Sequence, residues 1–280
     1  MRTKVNRVWP SRMPQVTGGG WHPGGMEELL RRTRAFEAAL AARAVERCEP
    51  FARGAAHLTP SLPQVWDLNF LRLDRASDVS AATLVLTADD LQGRASLAHR
   101  RIVVPDEREA GRLAPAFREL GWRVERYLTM MARAIPTEPA GVAVEEVALE
   151  RLRGLRAVLA RDAPGGRRPE VVEQLTVAAA RHARAGDARH FAVLAGGVPV
   201  AAADLYSDGQ TAQIEDVATL SDHRRRGYAS AIVARAVEAA RESGHDLVFL
   251  LADADDSPKK LYRRLGFDAI GLAHTFTRAG

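Results

Sequence analysis

Three consecutive arginines, Arg224–Arg226, stand directly before Gly227 and follow the alternating apolar stretch QIEDVATL. They can form a basic patch for nucleic acid, a solvated charged turn, or part of a loop that holds a phosphate group. A strand that stops at a glycine-containing turn and opens a helix presents unpaired N–H groups at the positive end of the helix dipole. The sequence therefore predicts an anion site here, where Gly227 lacks a side chain and allows close approach.

The elements around this loop follow from hydrophobic spacing. VEEVALERLRGLRAVLAR and PEVVEQLTVAAARHAR have apolar residues at helical intervals and are separated by the breaker DAPGGRRP. HFAVLAGGVPVAAADLYSDGQTAQIEDVATL predicts three strands, and YASAIVARAVEAARESG predicts a helix capped by Gly244. DLVFLLA is typical of a strand buried on both faces, and Ser257 and Pro258 predict the start of a short helix before the final strand, FDAIGLAHTFTR.

The N-terminal half repeats this pattern in degenerate form. AFRELGW (116–122) aligns with LYRRLGF (261–267) at an offset of 145, which also brings Arg133 onto Arg278. VWDLNFLRL falls close to QIEDVATL, and RRIVVPD falls close to LVFLLAD. We interpret this as an internal duplication. It predicts a degenerate domain (26–138) and a second domain (139–280), with PTEPAG as linker. Residues 1–25, which are rich in Pro and Gly, lack acidic groups and show no period, predict a flexible N-terminal tail.

The stretch from Ile214 to Arg278 resembles the GNAT superfamily of acyl-CoA-dependent N-acyltransferases. Arg224, Gly227 and Ala229 match the family's Q/R-x-x-G-x-G/A loop, and LYRRLGF matches its L-Y-x-x-x-G-F element. The order of elements extends the resemblance over residues 139–280, and the N-terminal copy, with ASDVSAATLVL after its strand, lacks the arginine–glycine loop. The resemblance implies two tandem α/β (α+β) domains, each a mixed, mostly antiparallel twisted sheet flanked by helices.

The resemblance also implies a coenzyme A site that takes acetyl-CoA as co-substrate. The loop would hold the pyrophosphate, and the preceding strand would pair with the pantetheine arm. The implied residues are Val217, Ala218, Thr219, Arg224, Arg225, Arg226, Gly227, Tyr228, Ala229, Ser230 and Asp255. Two positions depart from the family pattern: Asp255 stands where Asn is common, and Pro258 stands where a small residue is usual. The first puts the pantetheine contact in doubt, whereas the second suits a first helical position.

The implied chemistry is direct transfer of an acetyl or short acyl group to an amine. Tyr262 occupies the position of the family's acid, which protonates the leaving thiolate, although its ring can also be core packing. Glu215 and Asp216 are candidate bases, with Glu215 preferred; either can instead be a solvated group or an arginine partner. Because side chains alternate along a strand, we expect these two to point to opposite faces.

The amino-acid composition narrows the classes of function that remain possible. The net charge of +5 comes almost entirely from arginine, a bias that does not by itself favour a nucleic-acid partner. The single cysteine and the scattered histidines favour no metal site and no disulfide within the chain, and the lack of a long apolar run favours a cytoplasmic protein without a membrane span. The acceptor, a small-molecule or peptide amine, stays open, as does the choice between monomer and homodimer. The alternative to an enzyme is a non-catalytic acetyl-CoA-binding sensor or scaffold.

Overall fold

The structure, a computed structural model, describes residues 23–137, 141–162 and 168–280. Most of the predicted tail, residues 1–22, lies outside the described residues, as do parts of the predicted linker and of the DAPGGRRP breaker. The first helix begins at Pro23, three residues before the predicted Met26. In the described part of the chain, no helix is both long and apolar enough to cross a membrane.

All strands of the described chain join one mixed sheet of 11 strands. The strands are β1 (Arg47–Phe51), β2 (Gly54–Leu58), β3 (Phe70–Leu73), β4 (Arg100–Val104), β5 (Arg123–Ala132), β6 (Glu145–Val147), β7 (Arg189–Ala195), β8 (Val198–Asp208), β9 (Thr211–Thr219), β10 (Leu247–Asp253) and β11 (Phe267–Arg278). Their order across the sheet is β1-β2-β3-β4-β11-β5-β10-β9-β8-β7-β6. The pairs β3–β4 and β9–β10 are parallel and the other pairs are antiparallel.

Helices cover both faces of this sheet. They are α1 (Pro23–Ala44), α2 (Ala81–Arg94), α3 (Glu107–Glu119), α4 (Arg153–Asp162), α5 (Pro169–Ala185), α6 (Tyr228–Glu242) and α7 (Pro258–Arg264). Helix α6 buries a face of alanine, isoleucine and valine against alternate residues of β8, β9 and β10. Helices α1, α4 and α5 pack on the opposite face, where Phe36 of α1 meets Phe249 edge to face. Burial on both faces explains why β10 reads as a continuous apolar run.

The two halves of the chain exchange their final strands. Strand β5 lies between β10 and β11, and β11 lies between β5 and β4, so each final strand completes the sheet of the other half. In the central pairing Tyr127 faces Ala273 and Leu128 faces Leu272. Positions 127 and 272, like 128 and 273, are related by the offset of 145 seen in the sequence, so the pairing is nearly symmetrical. The predicted pair of separate sheets is therefore replaced by one continuous sheet.

Most of the predicted helices and strands of the C-terminal half are confirmed, but some short elements were not predicted. The three strands β7, β8 and β9, the helix α6 and the strand β10 are where the pattern placed them, and Gly244 has the left-handed φ of +85° expected after a helix end. Residues Glu145–Val147, however, form an edge strand paired with β7 rather than the start of a helix. In the N-terminal half, Trp66–Leu68 form a 3₁₀ turn before β3. Helical spacing alone did not separate the edge strand β6 from the helix that follows it.

A cut between the halves should leave them associated. We expect that a specific protease site placed between Thr137 and Gly141 can be cleaved without separating the two fragments on gel filtration, because β5 is paired on both sides by strands of the other half. The fragment 141–280 purified under denaturing conditions should refold only when the other fragment is present. Two separately folded halves after cleavage would contradict the strand exchange.

Candidate functional site

A notch opens where β9 and β10 separate. Their parallel pairing begins at Thr211 and Leu247 and ends at Ile214 and Leu250, although β9 continues to Thr219 and β10 to Asp253. Beyond that point β9 stays paired with β8, and β10 stays paired with β5. The edge of β9 that faces the notch therefore presents backbone N–H and C=O groups to whatever enters it.

A bulge in β9 places both candidate carboxylates on one face. Asp216 has a left-handed φ of +52°, and the register with β8 shifts between Ala202 and Asp204. Glu215 is bonded to the amide of Gln213 on the face covered by α1, and Asp216 lines a cavity with residues of α4 and α5, which pack on that same face. The prediction that the two carboxylates point to opposite faces is wrong, because an extra residue in a strand breaks the alternation.

The loop after β9 forms an open helix N-terminus. Gly227, the N-cap of α6, has a φ of +81° and no side chain to bond the first N–H groups of the helix, and Arg225 has a φ of +63°. The Arg224 Nε donates to the carbonyl of Thr219 over 3.2 Å, which fixes the turn to the end of β9. Unpaired N–H groups at the positive end of a helix, flanked by exposed arginines, suit a phosphate group.

A groove of about 990 Å³ joins this helix end to the notch. Its lining includes most of the residues implied for coenzyme binding, together with Tyr262 and basic residues from α7. The implied residues found there are Val217, Ala218, Thr219, Arg224, Arg225, Gly227, Tyr228, Ala229 and Ser230. Lys260 and Arg264, one helical turn apart on α7, add positive charge to the opposite wall and were missed by sequence reasoning. Their four-residue spacing on a short helix was the signal that could have found them.

Two implied residues do not line the groove. Arg226 is exposed and donates through Nη2 to the carbonyl of Asp222 over 3.2 Å. Asp255 is paired with Arg126 of β5, whose Nε lies 3.2 Å from its Oδ2, and this guanidinium holds the pKa of Asp255 below its usual value. The groove is lined at this point by Asp256 and Ser257 instead. The departure from Asn at position 255 therefore coincides with an ion pair across the exchanged strands.

The titratable groups near the notch are shifted from their ordinary values. Burial, reinforced by the charge of Glu215, raises the pKa of Tyr262 to about 12, so its phenol is protonated at neutral pH. Burial is also the main reason why the pKa of Glu215 lies well above its usual value, and the charges of Asp216 and Glu37 raise it further. Desolvation by the surrounding strands and helices, together with the charge of Asp204, raises the pKa of Asp216 as well, and part of this side chain is exposed. A carboxylate with a raised pKa is a stronger base than an ordinary one.

The loop between β3 and α2 in the N-terminal half is capped and tied down by side chains. The N-cap of α2 is Ser80, whose Oγ accepts from the N–H of Thr83 over 3.1 Å. The guanidinium of Arg112 on α3 donates to the carbonyls of Ala76 and Val79, at 2.8 and 3.1 Å, and so ties the loop to α3. The first N–H groups of α2 are thus partly satisfied by the Ser80 side chain, and the preceding loop is bonded to an arginine of α3. Within the described ranges, no cluster of three or more His, Cys, Asp or Glu side chains is arranged to hold a metal ion.

Residues 152–267 match the acetyltransferase (GNAT) family. The matched segment runs through α4 to the beginning of β11 and so contains the notch, the bulge and the groove. The predicted resemblance to GNAT proteins is confirmed for this segment. In addition, 80 residues are 34% identical to CgeE, an uncharacterized N-acetyltransferase of Bacillus subtilis strain 168. That alignment covers 28% of this chain and 31% of CgeE, so the chain spans about a third of the length of this relative.

Solved structures show that the fold is shared over most of the chain. A GCN5-related N-acetyltransferase from Kribbella flavida has a TM-score of 0.62 and 22% identity, covering 90% of this chain and 96% of that one. A conserved protein of unknown function from Staphylococcus epidermidis has a TM-score of 0.63 and 18% identity, covering 82% and 92%. A tandem GNAT protein from the clavulanic acid biosynthesis pathway has a TM-score of 0.52 and 14% identity, covering 90% and 95%. These likenesses concern the fold.

The bulge of β9 at Asp216 leads to a prediction about stability. A β-branched residue tolerates a left-handed backbone poorly, whereas asparagine adopts it readily. We expect Asp216→Val to lower the free energy of unfolding by about 1–2 kcal/mol more than Asp216→Asn does, measured by urea denaturation. The control is Thr219→Val on the ordinary extended part of β9, which should change stability little. Equal stabilities for Asp216→Val and Asp216→Asn would contradict the bulge.

Proposed function

We propose that this protein transfers an acetyl or short acyl group from its coenzyme A thioester directly to an amine. The observation that carries the proposal is the continuous groove from the open N-terminus of α6 to the notch between β9 and β10. Tyr262 lines this groove, and Glu215 directly follows Ile214, the last residue of β9 that is paired with β10. A phosphate-binding end and a strand edge with free backbone groups are the features that a long, flexible thioester with a pyrophosphate requires. The match of residues 152–267 to the acetyltransferase (GNAT) family supports the same reaction.

In this proposal the coenzyme is held by residues that already line the groove. The N–H groups at the start of α6, with Arg224 and Arg225, bind the pyrophosphate. Lys260 and Arg264 add positive charge from the other wall. The pantetheine arm follows residues 217–219 of β9, whose edge beyond Ile214 has no partner among the described strands. Asp255 is not part of the site, since it is bound to Arg126.

The reaction requires proton transfers at both the nitrogen and the sulfur. An alkylammonium group with a pKa of about 10.4 must lose a proton before it attacks, and at neutral pH supplying the free amine costs roughly 4–5 kcal/mol. Glu215 takes this proton, directly or through water, and its raised pKa suits that role. The amine nitrogen forms a bond to the thioester carbonyl carbon, the carbon–sulfur bond breaks, and Tyr262 gives its proton to the leaving sulfur. The nitrogen, which is positively charged after the attack, gives its second proton to water as the amide forms. The phenol is restored by a proton from solvent or from Glu215.

We also propose that the N-terminal half is a degenerate second copy of the same fold. The order strand, helix, strand, helix, strand occurs both in β3–α2–β4–α3–β5 and in β9–α6–β10–α7–β11. Each copy has one parallel strand pair at the equivalent place, and the central pairing of β5 with β11 agrees with an offset of 145 residues. The capped helix α2 and the bridging Arg112 support a copy that has lost coenzyme binding.

Coenzyme binding is tested at Gly227. Isothermal titration of acetyl-CoA should show one site per chain, and Gly227→Glu should abolish it by placing a side chain and a negative charge at the pyrophosphate position. Gly209→Glu is the matched control, because Gly209 also has a positive φ (+56°) and lies in the turn between β8 and β9, away from the groove. The control variant should keep wild-type affinity. Absence of binding to the wild-type chain would overturn the proposed function, and two sites would overturn the degeneracy of the N-terminal copy.

The proton transfers are tested by rate measurements. Tyr262→Phe should lower kcat by roughly a hundredfold or more with little change in acetyl-CoA affinity, because the ring is kept and only the proton donor is lost. Tyr127→Phe, which changes a half-buried tyrosine of β5, serves as the control and should leave kcat unchanged. Binding of acetyl-CoA without any turnover of amines would instead indicate a sensor.

The pH profile distinguishes the base from a structural carboxylate. Since Glu215 is active when deprotonated and its pKa is raised, kcat/KM should fall as pH decreases through a value well above 4.5. The charges of Asp216, Glu37 and Asp67 raise the pKa of Glu215, whereas the hydrogen bond from the Gln213 amide lowers it. Glu215→Gln should lower the rate and remove this limb of the profile. An unchanged limb in Glu215→Gln would assign the base to another group.

A further inference from the structure

A second cavity, of about 360 Å³, lies between α4, α5 and the strands β8 and β9. Its walls are largely aliphatic, and they come from both helices as well as from the sheet. The apolar lining residues are Leu155, Leu159, Ala160, Leu175, Ala179, Ala202, Val217 and Ala218. A volume of this size is near the lower end of the range for small-molecule sites, which span roughly 300–1,000 Å³. The cavity therefore suits a small molecule with an apolar body.

The polar groups of this cavity leave one carboxylate without a partner. Arg156 Nη2 donates to both oxygens of Asp204, at 2.7 and 2.5 Å, and His190 Nδ1 lies 2.7 Å from Asp204 Oδ1. Arg156 and Asp204 thus neutralise each other at the cavity wall. Asp216 faces the cavity, and no side-chain hydrogen bond or ion pair involves it among the described residues. The uncompensated charge in the cavity is negative.

This cavity opens onto the proposed coenzyme groove. Leu159, Val217 and Ala218 line both spaces, so the two meet at the bulge of β9. A molecule in the cavity with its charged end at Asp216 reaches the same short stretch of strand that the pantetheine arm follows from the other side. The neighbouring residue on the strand is Glu215, the proposed base.

We propose that the cavity binds the acceptor, and that the acceptor is a small primary amine with an apolar body and no carboxylate, its ammonium group held by Asp216. This inference rests on the proposed acyl transfer and specifies its substrate class. The aliphatic walls provide few hydrogen-bond partners for a polyhydroxylated amine, and a free amino acid would bring its carboxylate beside Asp204 and Asp216. Asp216 is a binding residue in this scheme: it places the nitrogen at the thioester, and Glu215 then removes the proton.

The substrate class is tested with matched small molecules. In the presence of coenzyme A, 2-phenylethylamine and hexylamine should bind to the full chain, while 2-phenylethanol, phenylalanine and kanamycin should bind at least about tenfold more weakly, as expected when a charge-assisted hydrogen bond is lost or a like charge is added. With acetyl-CoA, thiol release should follow the same order for the amines. A lysine-containing peptide should be a poor substrate, since its polar backbone would lie against the aliphatic walls that α4 and α5 provide.

Two variants test the two parts of the cavity. Asp216→Asn should raise the KM for 2-phenylethylamine roughly ten- to a hundredfold and abolish the preference for 2-phenylethylamine over 2-phenylethanol, with acetyl-CoA affinity unchanged. Asp78→Asn is the matched control, because Asp78 is also exposed and has a similar left-handed φ of +59° in the other half. Ala179→Trp should fill the cavity and block amine binding, whereas Val177→Trp, at an exposed position of α5, should not.

The outcomes separate this inference from the proposed function. If acetyl-CoA does not bind to the wild-type chain, the proposed function fails and the inference fails with it. If acetyl-CoA binds but phenylalanine, kanamycin or the lysine peptide is the better acceptor, acyl transfer stands and the substrate class is overturned. If small apolar amines react equally well in wild type and in Asp216→Asn, the assignment of Asp216 as the ammonium-binding residue is overturned.

Discussion

The separation of two parallel strands is the constraint on which the rest of this structure depends. When β9 and β10 part after Ile214 and Leu250, the backbone groups on their facing edges lose their mutual partners. Unpaired backbone groups are unfavourable in a protein interior, so each strand must be supported on its other side. Strand β9 is held by β8, and β10 is held by β5 from the first half of the chain. The open edge of β9 is thereby kept rigid and available for a ligand.

The same separation organises the charges. A bulge at Asp216 turns two adjacent carboxylates onto one face, where desolvation raises the pKa of both. The charge of Asp216 raises the pKa of Glu215 further, and the charge of Asp204 raises that of Asp216. The groove side is basic, with arginines from the loop and a lysine and an arginine from α7, while the cavity side carries the uncompensated carboxylate. Opposite charge on the two sides suits an anionic donor and a cationic acceptor that meet at one strand. This division of basic and acidic groups follows from the direction in which each element points its side chains.

Local patterns in the sequence were enough to predict the order of elements from α5 to β11. Gly227 and Ala229 predicted the loop, and the apolar run Leu247–Asp253 predicted a strand covered on both faces. The placement of Glu215 and Asp216 was wrong, because a bulge is an extra residue whose presence depends on the partner strand and not on the sequence of β9 alone. The edge strand β6 was missed because three residues are too few to show a period. The single sheet could not be predicted either, since the offset of 145 residues shows that two halves correspond but not that they exchange strands.

The exchange of final strands has a consequence for how the chain reaches its native state. Ile102 of β4 is paired with Phe276 of β11, which lies near the end of the chain. This edge of β4 therefore stays unpaired until most of the chain is present. Pairings between residues so distant in sequence form slowly, and an exposed edge strand can pair with another chain meanwhile. Folding of the two halves is therefore coupled, and partly folded chains are more prone to swap strands between molecules than to yield one folded half.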